Sequence, residues 1–267
     1  MNNAKITVIS LGWGVQSWVL VAMSALGELP PVDMAIHADT TWEREATYEF
    51  ARTWTPWLER RGVRIVTVGD SDQAEAVSPF TIEIPAFTVD AAGSQGQLRR
   101  QCTNRWKIQP MRREIAAELE RRGLPKTPGI VDQWLGISLD EWHRAKDSDV
   151  QYIFNRFPLL DLKMTRADCA GWLQKHDLPM PIKSSCTFCP YHSRGAWEQL
   201  KRDGGKDWAQ AVDVDARIRS ARPPFPLFVH PACIPLEEAV SIPEDNGAAQ
   251  LGLSIPDDEC DSGYCFI

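Results

Sequence analysis

No stretch of this 267-residue chain stays apolar long enough to cross a bilayer; a helical span needs ~18 to 20 such residues. The first residues, Met-Asn-Asn-Ala-Lys, lack the charged-then-apolar pattern of a secretory signal. An even cysteine count is missing too. Seven cysteines without a secretory signal argue against a disulfide framework, so a reducing, cytoplasmic setting is expected. Nor is there an excess of positive charge, and a net charge of −7 disfavours a broad nucleic-acid surface. Repeats, low-complexity blocks and a clear linker are absent. The length suits one large α/β domain, or one domain with a smaller appendage.

What the chain does have is a distinctive set of cysteines. Cys102 stands in Arg-Gln-Cys-Thr, and Cys186 and Cys189 form Ser-Cys-Thr-Phe-Cys-Pro far downstream. Thiolates at this spacing can bind one metal or cluster from a single turn, and a distant cysteine can complete the shell. Cys260 and Cys265 lie in the last eight residues, where either could serve as ligand or reactive thiol. An iron–sulfur cluster, a structural zinc site and ordinary buried thiols all fit this pattern. Cys169 and Cys233 read as buried, inert thiols. His192 reads as a core or capping residue before a fourth zinc ligand. Basic residues Arg99, Arg100, Arg105, Lys107, Arg112 and Arg113 bracket Cys102 and suit an anionic ligand.

Residues 5–10 read as a buried strand, about 16–26 as a helix and 33–38 as a second strand. A helix over about 43–61 follows, with Asp39, Thr40 and Thr41 as its start signal and Pro56 as a kink or restart. Residues 64–68 form a third strand. This alternation predicts a parallel, helix-flanked sheet with right-handed crossovers. A β-like stretch at 81–89, a helix over about 108–122 and a strand near 131–137 extend the nucleotide-binding α/β domain over 1–138. A smaller cysteine-bearing part occupies 139–267, with helices expected near 165–175, 195–201 and 208–218.

Between the first strand and first helix stands Ser10-Leu11-Gly12-Trp13-Gly14-Val15-Gln16-Ser17. Backbone N–H groups and the helix dipole at such a turn favour an anion such as phosphate. Neither G-x-x-x-x-G-K-[ST] nor G-x-G-x-x-G is matched, so the turn alone is a weak signal.

This turn resembles the PP-loop of adenine nucleotide alpha-hydrolase-like enzymes, and more closely the S-x-G-x-G-V-Q-S of phosphoadenylyl-sulfate (PAPS) reductase-like proteins. Five further stretches carry the resemblance: His37-Ala38-Asp39-Thr40; Arg100-Gln101-Cys102-Thr103 with Lys107-Ile108; Leu135-Gly136-Ile137-Ser138 with Asp140, Glu141 and Arg144; Phe157-Pro158-Leu159 with Thr165-Arg166; and Lys183 to His192. The resemblance implies a Rossmann-like α/β fold binding an adenine nucleotide, ATP or an adenylyl sulfate, through Ser10, Gly12, Gly14, Val15, Gln16, Ser17, Asp39 and Thr40. It also implies anion neutralisation by Lys107 and Arg144, and a 4Fe-4S cluster on Cys102, Cys186 and Cys189, with Cys265 as fourth ligand or an open iron. Cys260, preceded by Glu259 as in the reductases' tail, is the implied reactive thiol.

Three departures bear on this. Gln16 stands where the ATP-cleaving turn has aspartate, which weakens the case for magnesium-dependent ATP cleavage. The reductases' Cys-Cys pair is reduced to Gln101-Cys102, and the tail has two cysteines rather than one. The expected function is sulfur metabolism, by reduction of an adenylyl sulfate or by sulfur insertion through an adenylated intermediate. A sulfur- or electron-donor protein would then be a partner; a nucleic-acid substrate is not indicated. The alternative is a non-catalytic nucleotide-binding module with a four-cysteine zinc site that holds a partner or nucleic acid.

Overall fold

The computed structural model describes residues 6–69, 77–78, 81–90, 92–221 and 225–240. Five parallel strands form its central sheet: β1 (Ile6–Ser10), β2 (Met34–Ala38), β3 (Ile65–Val68), β4 (Val131–Trp134) and β5 (Ile153–Arg156). Their order is β3-β2-β1-β4-β5. Apolar residues alternate between its two faces, as the two-residue repeat of a strand requires. Ile9, Leu11 and Ala35 join one core with helices α1 (Val15–Leu26) and α2 (Glu45–Glu59), and Leu173 joins it from α4 (Arg166–Lys175). Ile6, Val8, Met34 and Ile36 point the other way, onto Met111, Ile115 and Leu119 of α3 (Gln109–Arg121). Both faces are covered, which is why the strands are nearly all apolar.

A second core lies beyond the sheet. Trp42, Ile84, Trp106 and Phe188 meet there with residues of α5 (Arg194–Asp203), α6 (Gly205–Arg219) and the Leu227–Leu236 segment. Asp215 of α6 ties that segment down: its carboxylate accepts the N–H groups of Val229 at 3.0 Å and Leu236 at 3.1 Å. Among the described residues, no helix is long and apolar enough to cross a membrane.

Several elements differ from the sequence reading. Helix α2 starts at Glu45, with Arg44 as its N-cap, because the carboxylate of Asp39 is engaged in a preceding turn. Pro56 does not interrupt α2. It sits in the last turn, where its missing N–H removes one bond near the fraying end. The 81–89 stretch is two short strands, Thr81–Ile82 and Phe87–Val89, in separate sheets. Strand β4 stops at Trp134, and β5 extends the parallel sheet past residue 138, because Ile153–Arg156 pairs with Val131–Trp134. Thr165 caps α4 through a capping box with Asp168.

Candidate functional site

The strand order reverses between β1 and β4, and in open α/β sheets the crevice beyond the strands' carboxyl ends at such a point is where ligands bind. The Leu11–Gly14 turn opens there. Trp13 takes a φ of 57°, a left-handed conformation that costs a residue with a side chain about 1–2 kcal/mol. Its indole is buried against Trp18, His37 and Phe50. Burying roughly 200 Å² of indole stabilises by up to about 5 kcal/mol, so packing outweighs the strain and holds the turn.

Gly14 is the N-cap of α1 at φ −85° and ψ 169°, with no side chain capping the helix and no acid in its first turn. A Cβ built on Gly14 meets nothing within 4 Å. Neither backbone conformation nor packing requires glycine at this position, and the space beside the helix N-terminus is open. The Ser17 hydroxyl is engaged inside the turn: it donates to the Gly14 carbonyl at 3.1 Å and accepts the Gly12 N–H at 3.2 Å. The donors this turn offers an anion are therefore the first-turn amides of α1. Ser10 at the end of β1 accepts a hydrogen bond from Gln133 of β4 at 2.7 Å.

The segment after β4 forms the opposite wall. A Cβ on Gly136 would come within 2.8 Å of the Ser17 nitrogen, so only glycine lets this segment approach the start of α1. The Gln16 amide donates to the Ser138 hydroxyl and to the Glu141 carboxylate, both at 3.4 Å. Arg144, buried, donates to the same carboxylate at 2.8 Å. Burial raises the Glu141 pKa, against the opposing pull of Arg144.

A third wall follows β2. His37 is buried and donates through Nδ1 to the Leu11 carbonyl at 3.0 Å; burial lowers its pKa, with Glu43 opposing. The Asp39 carboxylate accepts the Thr41 N–H at 2.7 Å and the Tyr48 hydroxyl at 2.8 Å. Burial and this acidic neighbour raise the Tyr48 pKa, so the phenol stays protonated. The Thr40 hydroxyl contacts the Cys186 sulfur at 3.3 Å. Glu43, 3% exposed, accepts Lys107 Nζ and the Ser184 hydroxyl, each at 3.2 Å.

Cys102 is the N-cap of a six-residue π-helix, Thr103–Ile108, that leads into α3. Such wide turns occur often at functional sites. Cys102 and Cys186 are both half-buried against the second core. Cys189 closes a turn by donating its N–H to the Cys186 carbonyl at 3.1 Å. His192 donates through Nε2 to that same carbonyl at 2.9 Å, and burial pushes its pKa down to about 4. This neutral imidazole braces the cysteine turn.

Among the described residues, no three of His, Cys, Asp and Glu are grouped to hold a metal ion. Thiolates sharing one tetrahedral zinc lie roughly 3.8 Å apart. A four-iron cluster carries each thiolate on a different iron and separates them further. Cys260 and Cys265 lie outside the described residues. Cys169 is fully buried in the sheet's core, where burial pushes its pKa up to about 12.

No protein-family model matches this chain, and no curated protein matches it. Among solved structures, a phosphoadenylyl-sulfate (PAPS) reductase from Candida auris, in a phosphate complex, is similar to it. The identity is 13%, over 66% of this chain and 74% of that one, with a TM-score of 0.42. A similarity that low carries no conclusion about function.

The carboxyl edge of the sheet thus gathers the Ser10–Ser17 turn, Asp39 and Thr40, Lys107, Arg144 and Cys186. Lys107 and Arg144 face carboxylates, Glu43 and Glu141, rather than standing as isolated cations. No motif in the sequence marks Glu43 or Tyr48. Glu43 sits between Trp42 and Arg44 where a helix start was expected, and nothing local marks it as a partner of Lys107. An apolar depression of about 670 Å³, lined by Thr88, Leu98, Phe225 and Leu227 among others, includes none of these site residues.

Proposed function

We propose that this chain is a PAPS reductase-like enzyme of sulfur metabolism that binds an adenine nucleotide at the Leu11–Ser17 turn. The supporting observation is the juxtaposition of an uncapped helix N-terminus, with open space at Gly14, and a β2 loop whose Thr40 touches Cys186. A nucleotide with its phosphates on the α1 amides would lie beside the cysteine-bearing segment. The amides would stabilise charge on phosphate or sulfate oxygens. Cys102, Cys186 and Cys189 would hold a 4Fe-4S cluster, with Cys265 as the fourth ligand or one iron left open; the cluster would supply redox or sulfur-handling chemistry.

The favoured reaction is attack by a cysteine thiolate, Cys260, on the sulfur of an adenylyl sulfate. The new S–S bond forms as the S–O bond breaks and the nucleotide phosphate leaves with the electron pair. Gln16 favours this reading over ATP cleavage, because its neutral amide, tied to Ser138 and Glu141, supplies no carboxylate for magnesium. Anaerobic calorimetric titration with adenylyl sulfate and with ATP, each with and without magnesium, tests the reading, together with iron and sulfide analysis. Magnesium-independent binding of adenylyl sulfate is expected. Magnesium-dependent pyrophosphate release from ATP would move the reaction to adenylation and sulfur insertion, and no binding of either nucleotide would end the proposal.

A further inference from the structure

We propose that Glu43 is the positioning residue of the cysteine site: it locks the segment that begins at Cys102 to the loop that carries Cys186 and Cys189. Its carboxylate bridges two elements far apart in sequence. One oxygen accepts Lys107 Nζ, on the π-helix that Cys102 caps; the other accepts the Ser184 hydroxyl, two residues before Cys186. The Glu43 backbone adds a third tie, an antiparallel bridge to Cys186.

The energetics support a role in placement rather than in bulk stability. Glu43 and Lys107 are only 3% and 5% exposed. Removing two charges from water carries a desolvation penalty that often cancels their attraction, so a buried pair is a weak source of stability. Two apolar residues would fill the same volume without that penalty, but they could not fix the direction of a hydroxyl and an ammonium at once. The pair also lies beside the apolar contact of Trp42 with Phe188, whose rings meet edge-on at 4.8 Å and hold the loop's other side. Packing brings the two segments together, and the carboxylate sets their register.

This inference rests on the proposed function for what the cysteines do, but the test of Glu43 does not require a cluster. Cys169 provides an internal control, because it is buried in the other core, under the sheet. The experiment compares wild type with Glu43→Leu, both freed of iron by chelation, and follows iodoacetamide labelling of each cysteine by peptide mass spectrometry. Labelling of Cys102, Cys186 and Cys189 is expected to accelerate roughly tenfold or more through local opening, with Cys169 still protected. If Glu43→Leu does not fold, Glu43→Gln combined with Lys107→Met removes both charges and undergoes the same comparison.

A second readout is the iron and sulfide content of anaerobically purified protein, with its electron paramagnetic resonance spectrum after reduction. A lower content or altered spectrum in the variant is expected. Unchanged labelling of the three cysteines, or equal acceleration at Cys169, would overturn the positioning role. A wild type without iron, but with the expected labelling pattern, would instead sink the cluster reading and leave Glu43 as the organiser of a thiol site.

Discussion

Replacing Gly14 with valine separates binding from folding more cleanly than any other change at the first turn. At φ −85° and ψ 169° the backbone is extended and suits any residue, and a Cβ there meets nothing within 4 Å. Losing glycine at an N-cap costs a few tenths to about 1 kcal/mol. Loss of glycine's freedom in the unfolded chain returns about 0.4–1 kcal/mol. The melting temperature should therefore change little. Binding should not be spared, since a branched side chain would occupy the space in front of the α1 amides. Hydrogen bonds to a charged group contribute about 1.5–3 kcal/mol each. Losing two of them weakens binding by about 3–6 kcal/mol, or at least ~100-fold. Calorimetric titration with adenylyl sulfate and ATP, alongside thermal melting, measures both quantities. Gly136→Ala is the contrasting control, because its Cβ would press on the Ser17 nitrogen at 2.8 Å and should lower the melting temperature directly. Unchanged affinity in Gly14→Val, for whichever nucleotide binds the wild type, would refute the assignment of the turn.

Three further outcomes follow from buried polar groups. Burial opposes the charge of Glu118, but hydrogen bonds from Arg121, Arg64 and Arg122 prevail and hold its pKa at about 2. That depressed value stabilises the fold at pH values above the ordinary glutamate range, and the contribution is lost as pH falls from about 4.5 towards 2. Glu118→Gln should cost about 2 kcal/mol at pH 7, after allowance for solvent screening of the arginines, and almost nothing near pH 2; denaturant melts at both pH values check this. Asp215→Ala should cost about 2–4 kcal/mol by leaving the N–H groups of Val229 and Leu236 unmatched, with faster hydrogen exchange at both. Gln16→Asp would set a second carboxylate against Glu141; a loss of about 1–2 kcal/mol at pH 7 that shrinks at pH 5 is expected from urea titrations.

The parallel sheet was legible in the chain because its signals are local. The short apolar run before the glycine turn reads as a buried strand, realised as Ile6–Ser10, and the apolar Gln16–Leu26 stretch after the turn reads as a helix, realised as Val15–Leu26. The strand-to-helix turn at Leu11–Gly14 was local too, because it lies between two adjacent elements. The capping box of Thr165 with Asp168 is local as well, spanning three residues. Pairing was not local. That Ile153–Arg156 completes the sheet depends on its register with Val131–Trp134, which no short-range pattern encodes. Lys107 read as a cation waiting for an anion, and only the fold shows Glu43, 64 positions away, facing it in a site closed to water. Ser17 read as a phosphate donor, yet its hydroxyl is committed to Gly14. The run of residues determined which elements form and which faces are apolar, because those depend on the next few side chains. Which charges meet, and which donors remain for a ligand, was decided when the sheet's carboxyl edge brought separate segments together and excluded the water that would otherwise have satisfied each group alone.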